Sequence, residues 1–336
     1  MRILQIGAGS MGTRRMRDLV AREDVELALL DFREDRRARA VERFGIVAFS
    51  EKQSALNWKP DAFVISTPPD NHDEYVELAL ELGLHHFCEE NIWTYDPGVI
   101  EETSKEKGVV CAPSCSFHFL PIVRKMKELI DDGVIGSLHS YQMTLSTYMP
   151  GWHPEEGSEF YARNRNTAAG REMVPFELVW LNYVFGIPKS VNGIVGRFGN
   201  LENPYEDTWS SQMLLAPSGV GVLTVLHGAY PVVRCGTCVG ELGAMNFDLV
   251  SGKLLMSGVE SGEVKVIECG STSEVIEKTY FEEINRFVDV LNGMKEWPHS
   301  YRCSAVATAT LGAMEKSASD RIGVEIDPSA QPLSLN

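Results

Sequence analysis

The chain has 336 residues, 44% hydrophobic and 23% charged, which is enough for two domains with separate buried cores. Its 31 basic and 47 acidic residues leave a formal charge of -16, which argues against a nucleic-acid partner because phosphate contacts need clustered Lys and Arg. There is no apolar run of about 18 residues and MRILQIGAGS lacks a signal-peptide core, so no membrane partner and a cytoplasmic location are expected.

Along the first 115 residues, short apolar runs alternate with amphipathic stretches, the pattern of βαβ units and a parallel sheet. Arg2–Ile6 reads as a strand, Met11–Arg22 as a helix, Val25–Leu30 as a strand and Glu34–Phe44 as a helix. The apolar run Ala62–Ser66 suits a strand covered on both faces. Asn71–Leu82 reads as a helix ending at Gly83, and His85–Cys88 and Val109–Cys111 as further strands. The expected fold is α/β, a Rossmann doubly wound parallel sheet over residues 1–118.

Beyond Pro121 a helix, Ile122–Asp132, precedes strands with period-two alternation. These are Ser137–Thr147, Ser190–Phe198, Gln212–Leu215, Gly219–His227, Cys238–Leu242, Met245–Leu249, Lys253–Ser257 and Glu263–Glu268. Helices are expected at Val174–Phe185, Tyr280–Met294 and Ser304–Asp320. Residues 119–336 thus read as an α+β domain with a mostly antiparallel sheet. The seven scattered cysteines read as free thiols, although Cys235-x2-Cys238 and Cys111-x3-Cys115 leave a zinc reading open. Buried apolar cysteines are the stronger reading, and no metal is expected.

Gly7, Ala8, Gly9, Ser10, Met11 and Gly12 fit G-x-G-x-x-G directly after a strand and at the start of a helix. Gly7 permits the tight turn, Gly9 lets a diphosphate approach the backbone, and Gly12 lets helix and strand pack closely. The helix N-terminus offers oriented N–H groups to that diphosphate. Asp31, 19 residues after Gly12, ends the second strand, where a carboxylate accepts both ribose hydroxyls. Phe32 and Arg33 follow it at the same groove. The expected cofactor is NAD, with NADP as the alternative because Arg33, Arg36 and Arg37 can pair with a 2′-phosphate. Ser66-Thr67-Pro68-Pro69-Asp70-Asn71-His72 lies at the carboxyl end of a strand, where such sheets bind ligands, though a plain turn with a helix cap at Asp70 fits as well.

These segments together resemble the glucose–fructose oxidoreductase, inositol dehydrogenase and rhizopine-catabolism family (Gfo/Idh/MocA). ILQIGAGSMG, VISTPPDNH, LGLHHFCEEN, the stretch from Pro121 to Gly136, VGELGAMNFD and MEKSASDRIGVEI carry the resemblance in order. It implies a Rossmann domain followed by an open-faced sheet that often forms a homodimer or homotetramer. It also implies hydride transfer between NAD(P) and a sugar, cyclitol or sugar nucleotide. By the same resemblance Ser66, Thr67, Pro68, Asn71 and His72 line the cofactor groove, with Glu89 and Asn91 beside the nicotinamide. The loop from Tyr148 to Pro154, with His153, is similar to one that binds substrate.

The departures fall on the chemistry. Where the family has its E-K-P lysine and proline, this chain has Glu90 and Asn91, and where the family places an Asp and a His it has Glu172 and Phe176. The carboxylates left are Glu90, Glu172 and Glu177, with His118 and His153 as further proton carriers. Pro175 suggests that a helix begins there, with Glu172 at its entrance and Glu177 in its first turn. Two carboxylates in one closed pocket would raise one pKa toward neutrality and give a base for a substrate hydroxyl. The plainer reading makes Glu90 a solvated loop carboxylate, pairs Glu172 and Glu177 with Arg163, Arg165 or Arg171, and leaves His118 in the core. An oxidoreductase using carboxylates in place of Lys and His is the leading expectation. The alternatives are a catalytically silent NAD(H)-binding sensor or partner protein, and a lyase or glycosidase with no net redox change.

Overall fold

The computed structural model describes residues 1–90, 96–152, 165, 167, 169–201, 205–258 and 263–327. Two compact units divide it, one of Met1–Ser116 with Tyr280–Ala305, the other of Phe117–Thr279 with the residues from Val306 onward.

In the first unit the strands are β1 (Arg2–Ile6), β2 (Glu26–Leu30), β3 (Val47–Phe49), β4 (Ala62–Ile65), β5 (His85–Cys88) and β6 (Cys111–Pro113). The helices between them are α1 (Ser10–Val20), α2 (Glu34–Phe44), α3 (Lys52–Asn57), α4 (His72–Leu82) and α5 (Pro97–Lys107). The sheet order is β3-β2-β1-β4-β5-β6, and every pairing is parallel. All four residues of β4 are buried, as a strand flanked by helices on both faces requires. The order reverses beside β1, so the carboxyl ends of β1 and β4 form a crevice where Gly7 and Ser66 meet.

Three elements were not legible as periodic stretches. β3 has three residues and α3 six, too short to show a period. α5 buries only Ile100, so it has no apolar stripe; its start is set by the Asp96 side chain, which accepts from the Gly98 N–H at 2.7 Å, and its end by Gly108 in the left-handed conformation.

In the second unit come α6 (Pro121–Asp131), β7 (Leu138–Tyr148), α7 (Ala169–Phe185), β8 (Pro188–Gly196), β9 (Thr208–Leu215), β10 (Val220–Leu226) and β11 (Gly228–Gly240). β12 (Gly243–Asp248), β13 (Lys253–Gly258) and β14 (Val264–Glu268) follow, then α8 (Thr272–Leu291), α9 (Tyr301–Asp320) and β15 (Val324–Glu325). The last two helices run through both units. The nine strands lie in the order β14-β13-β12-β11-β7-β10-β9-β8-β15, antiparallel except for β7 with β10.

The structure corrects the sequence reading in several places; α8, for one, begins at Thr272, eight residues before the expected Tyr280. The single break after residue 118 misses the return of Tyr280–Ala305 to the first unit. There Ile284, Phe287, Val288 and Trp297 pack in one cluster with Ile3, Leu29 and Phe87. β11 begins ten residues before the expected Cys238; its register shifts between Gly228 and Val233, around Pro231, which has no N–H for the ladder. α7 begins at Ala169, so Pro175 lies inside the helix rather than at its start. Among the described residues no helix is long and apolar enough to cross a membrane. Among the described residues, too, no group of three or more His, Cys, Asp or Glu stands ready for a metal, and all seven cysteines are free thiols.

Candidate active site

β1 delivers the chain into the glycine turn. Gly7 has φ of 86° and a Cβ there would lie 2.6 Å from the Ser66 carbonyl oxygen, so no other residue fits without strain. At Gly12 a Cβ would stand 2.0 Å from the Gly7 carbonyl oxygen, which fixes how closely α1 packs on the turn. Gly9 is different: its Cβ would meet only Arg36 Nη1, at 3.8 Å, so one side of the backbone there is open. Gly9 also caps α1 with no side-chain acceptor. Ser10 and Met11 complete the first turn, Ser10 exposed and Met11 half-buried. Buried Gln5, missed in the sequence, props the turn from below by donating to the Gly7 carbonyl at 2.9 Å.

Asp31 at the end of β2 is buried and fixed by two backbone donors. Ala8 N–H reaches Oδ2 at 2.7 Å and Arg33 N–H reaches Oδ1 at 2.8 Å. Each carboxylate oxygen retains acceptor capacity beyond one such bond. The nearby arginines are engaged, Arg33 with Asp35 at 2.9 Å and Arg37 with the carbonyls of Asp31 and Phe32, both at 2.8 Å; the Phe32 ring is exposed. On the other side of the crevice Thr67 Oγ1 is buried with no hydrogen-bond partner among the described residues, and His72 is anchored to the Thr67 carbonyl at 2.9 Å. Pro68 and Asn71 are exposed beside them. An open backbone at Gly9, an uncapped helix start, a prepared carboxylate and an orphaned hydroxyl fit a dinucleotide.

The carboxyl end of β5 carries a buried charge cluster. Arg15 on α1 is fully buried, and its guanidinium meets Glu89 at 2.7 Å and Glu283 of α8 at 2.6 Å. Glu283 also accepts from Ser114 Oγ at 2.9 Å, the Cys115 N–H at 2.7 Å and Ser116 Oγ at 2.6 Å. Burial by itself would lower the Arg15 pKa, but the charges of Glu89 and Glu283 outweigh it and hold the group above its ordinary value. Glu89 is therefore tied into this cluster, with Ser66 Oγ at 3.4 Å.

Glu90, the next residue, is not a solvated loop carboxylate. Its side chain is 6% exposed, Ser304 Oγ donates to Oε1 at 2.8 Å, and His299 Nε2 lies 2.9 Å from that same Oγ. Burial pushes the carboxyl up to about 8, with the charges of Glu283 and Glu89 adding to the shift and the Ser304 bond opposing it. The cause differs from the repulsion by Glu172 or Glu177 expected from the sequence.

The remaining proton carriers lie in the second unit. Glu172 is half-buried in the first turn of α7. Glu177 is five residues on along the same continuous helix, about 140° away around it. It is fully buried, with Arg234 Nη2 at 2.8 Å and Trp180 Nε1 at 2.7 Å. Burial raises its pKa while Arg234 pulls the other way. The Arg234 guanidinium lies against Phe117 and Phe176, 4.8 Å and 5.9 Å from their ring centres, so these two rings flank its ion pair with Glu177. Arg165 meets Glu206 and Arg171 meets Glu315, at 2.9 Å and 2.6 Å. His118 is buried with its ring stacked on Tyr183 at 4.1 Å. Asn91 and His153 lie outside the described residues.

Arg15, Glu283, Ser304 and His299 were not singled out in the sequence. A signal existed for two of them: Arg15 falls in the apolar stripe of Gly12, Met16 and Leu19, and Glu283 in that of Ile284, Phe287 and Val288. A charge inside a buried stripe needs a buried partner. Nothing comparable marks Ser304 or His299.

Residues 1–105 match the model of the Gfo/Idh/MocA oxidoreductase family with an NAD-binding Rossmann fold, and residues 123–244 match the Gfo/Idh/MocA C-terminal domain. The chain belongs to this family. The chain is similar to the myo-inositol 2-dehydrogenase of Thermotoga maritima, 31% identical over 151 residues, covering 43% of this chain and 45% of that protein. The levoglucosan dehydrogenase of Pseudarthrobacter phenanthrenivorans is 24% identical over 221 residues, covering 63% and 51%. These matches span about half the length of the curated relatives. An oxidoreductase from Agrobacterium radiobacter, solved with NAD+, L-tartaric acid and magnesium, shares the fold with a TM-score of 0.84 at 14% identity, over 97% of this chain and 98% of that one. Levoglucosan dehydrogenase in complex with NADH superimposes with a TM-score of 0.81 at 18% identity, over 97% and 99%.

Proposed function

We propose that this chain transfers hydride between NAD and a hydroxyl of a sugar, cyclitol or sugar nucleotide, with Glu90 as the group that takes and returns the hydroxyl proton. The observation that carries the reading is an enclosed carboxyl at the family's lysine position whose pKa is raised to about 8. A base works best when its pKa lies near the working pH, and Glu90 meets that condition without a lysine. The relatives named myo-inositol 2-dehydrogenase and levoglucosan dehydrogenase support a polyhydroxy substrate.

In this reading the α1 N-terminus binds the diphosphate, Asp31 accepts the adenosine ribose hydroxyls, and Thr67, Pro68, Asn71 and His72 line the groove. NAD+, when bound, supplies the hydride acceptor. Glu90 must be ionised to take a proton, so alcohol oxidation rises with pH through about 8. The reverse reduction needs the protonated acid and falls over the same range. Glu177 holds Arg234 in place within the second unit. A homodimer or homotetramer belongs to the same proposal, supported by exposed apolar side chains on the sheet, among them Ile194, Leu214, Val264 and Val266.

The test follows NADH absorbance against a panel of polyols, sugars and sugar nucleotides, with wild type and Glu90→Gln. Turnover by wild type and a loss of at least about 100-fold in kcat in the variant, at unchanged NAD affinity, is the expected result. Tight NAD binding with no turnover across the panel would overturn it in favour of a cofactor-binding sensor.

A further inference from the structure

We propose that His227 and Trp209 anchor the substrate by its hydroxyls, and that the ligand they select is an uncharged polyol or sugar rather than a sugar acid. The inference rests on the polyhydroxy substrate read above and uses residues of the second unit alone. His227 follows β10 and is 1% exposed, yet neither of its ring nitrogens has a hydrogen-bond partner among the described residues. Trp209 of β9, 2% exposed, leaves its Nε1–H unpaired in the same way. The two rings meet edge to face with centres 5.8 Å apart, and Trp152 packs on His227 likewise at 6.0 Å.

The fold holds these rings without using their nitrogens. The His227 N–H donates to the Asp207 carbonyl at 2.9 Å, and the His227 carbonyl accepts from the Met149 N–H at 3.0 Å. Trp209 is fixed by close packing, since a Cβ at Gly170 would lie 2.2 Å from its ring. Other indoles are supplied: Trp180 Nε1 donates to Glu177, Trp297 Nε1 to the Pro113 carbonyl, and Trp152 Nε1 to Thr147 Oγ1. The Asp207 carboxylate is committed as well, accepting from the Phe198 and Gly199 amides at 2.9 Å and 2.7 Å. Three enclosed nitrogens left unpaired in one place call for a guest from outside the chain.

An internal water needs about two to four polar partners, which aromatic walls do not offer. A hydroxylated ring fits better. Its C–H face packs on aromatic rings while its several hydroxyls reach nitrogens on different edges. Burial lowers the His227 pKa to about 4, with the charge of Asp207 opposing, so at neutral pH the ring has one N–H and one bare nitrogen. With the indole N–H this makes two donors and one acceptor, the complement of hydroxyls, which both donate and accept. A carboxylate only accepts, so the bare nitrogen would repel it.

Two measurements test the assignment. The first follows 15N-histidine-labelled whole protein by NMR while myo-inositol, D-glucose or D-glucuronate is added at millimolar concentration. The signals lost in His227→Phe identify the residue. The neutral compounds should shift those signals, and glucuronate should need at least about tenfold more to do so. No shift with either neutral compound, or an equal response to glucuronate, overturns the proposal whether or not the enzyme turns over. The second measurement is turnover of whichever neutral polyol or sugar the wild type oxidises. His227→Phe should raise KM at least about tenfold with kcat and NAD affinity unchanged, and Trp209→Phe should raise it about threefold. Without ligand, His227→Phe should melt no lower than wild type, because it discards only unpaired nitrogens. A lower melting temperature with an unchanged KM marks a histidine satisfied by internal water and sinks the anchor while sparing hydride transfer. Shifted His227 signals with no turnover by wild type sink hydride transfer and leave the anchor standing.

Discussion

The glycine turn and the Glu89–Glu90 corner stand at carboxyl ends of the same parallel sheet, yet they are built in opposite ways. The turn is assembled from residues 5 to 31, and its groups are backbone amides, glycines and one carboxylate. The corner joins Arg15, Glu89 and Glu283, with 268 positions between the first and last. A site made of backbone works wherever the turn can form. A site made of buried charges works only if every member arrives, because one missing member leaves another unpaired in low dielectric.

The largest expected effect is therefore at the corner. Arg15→Met keeps an apolar stem near Phe87 but removes the cation between Glu89 and Glu283. Urea denaturation at neutral pH should show a loss of about 3–5 kcal/mol. The deficit should shrink in acid, where the two carboxyls can be protonated. A loss below about 1 kcal/mol would mean that the cluster is solvated and that the contrast with the turn is false.

Glu90 tests the same corner with the opposite sign. Its pKa is raised from 4.5 to about 8 on folding, so the folded state holds a proton that the unfolded state has released. This favours the folded state below about pH 4.5, and the benefit is lost as pH rises through 8. At about 1.4 kcal/mol per unit, the shift caps the effect near 5 kcal/mol; water reaching the charged form would reduce it to about 2–3 kcal/mol. Glu90→Gln cannot ionise and should be more stable than wild type by that margin at pH 9. Parallel stability curves for the two proteins from pH 5 to 9 would place Glu90 in solvent.

This difference in construction also explains what could be read in advance. Gly7, Gly9, Gly12 and Asp31 are close in sequence, and a strand on each side gave them context. The parallel sheet was equally legible because β2 and β4 are nearly all apolar. Glu90 stood out as a departure from the family pattern, but its state did not. That depends on Ser304 and on enclosure by elements some 200 positions downstream, which no local pattern records. Pro175 misled for a related reason. Alone it predicts a helix start, whereas burial of Val174, Leu178 and Leu181 on α7 tolerates one missing backbone bond.

Within the turn, two glycines separate packing from ligand approach. Gly12→Ala drives a Cβ to 2.0 Å from the Gly7 carbonyl oxygen and should cost about 2 kcal/mol of stability along with NAD binding. Gly9→Ala meets only Arg36 at 3.8 Å, so stability should hold within about 0.5 kcal/mol while NAD affinity falls. Calorimetric binding and thermal melts on both variants decide it. Equal stability losses would show that the open side of Gly9 is not a cradle.

The smallest effect expected is at Asp31, where the substitution can be nearly isosteric. Its two oxygens already accept from the Ala8 and Arg33 amides at 2.7 Å and 2.8 Å, so the carboxylate is held before any ligand arrives. In Asp31→Asn one of those amides faces an NH2 group, and one acceptor for a ribose hydroxyl disappears along with the negative charge. NAD affinity should fall about tenfold, or about 1.4 kcal/mol, and the preference for NAD over NADP should narrow because repulsion of a 2′-phosphate is gone. Arg33 and Arg37 are already engaged with Asp35 and with backbone carbonyls, so NADP should gain less than NAD loses. If NADP instead became the tighter ligand, those arginines would have to leave their present partners. The turn, like the corner, would then depend on side chains that move.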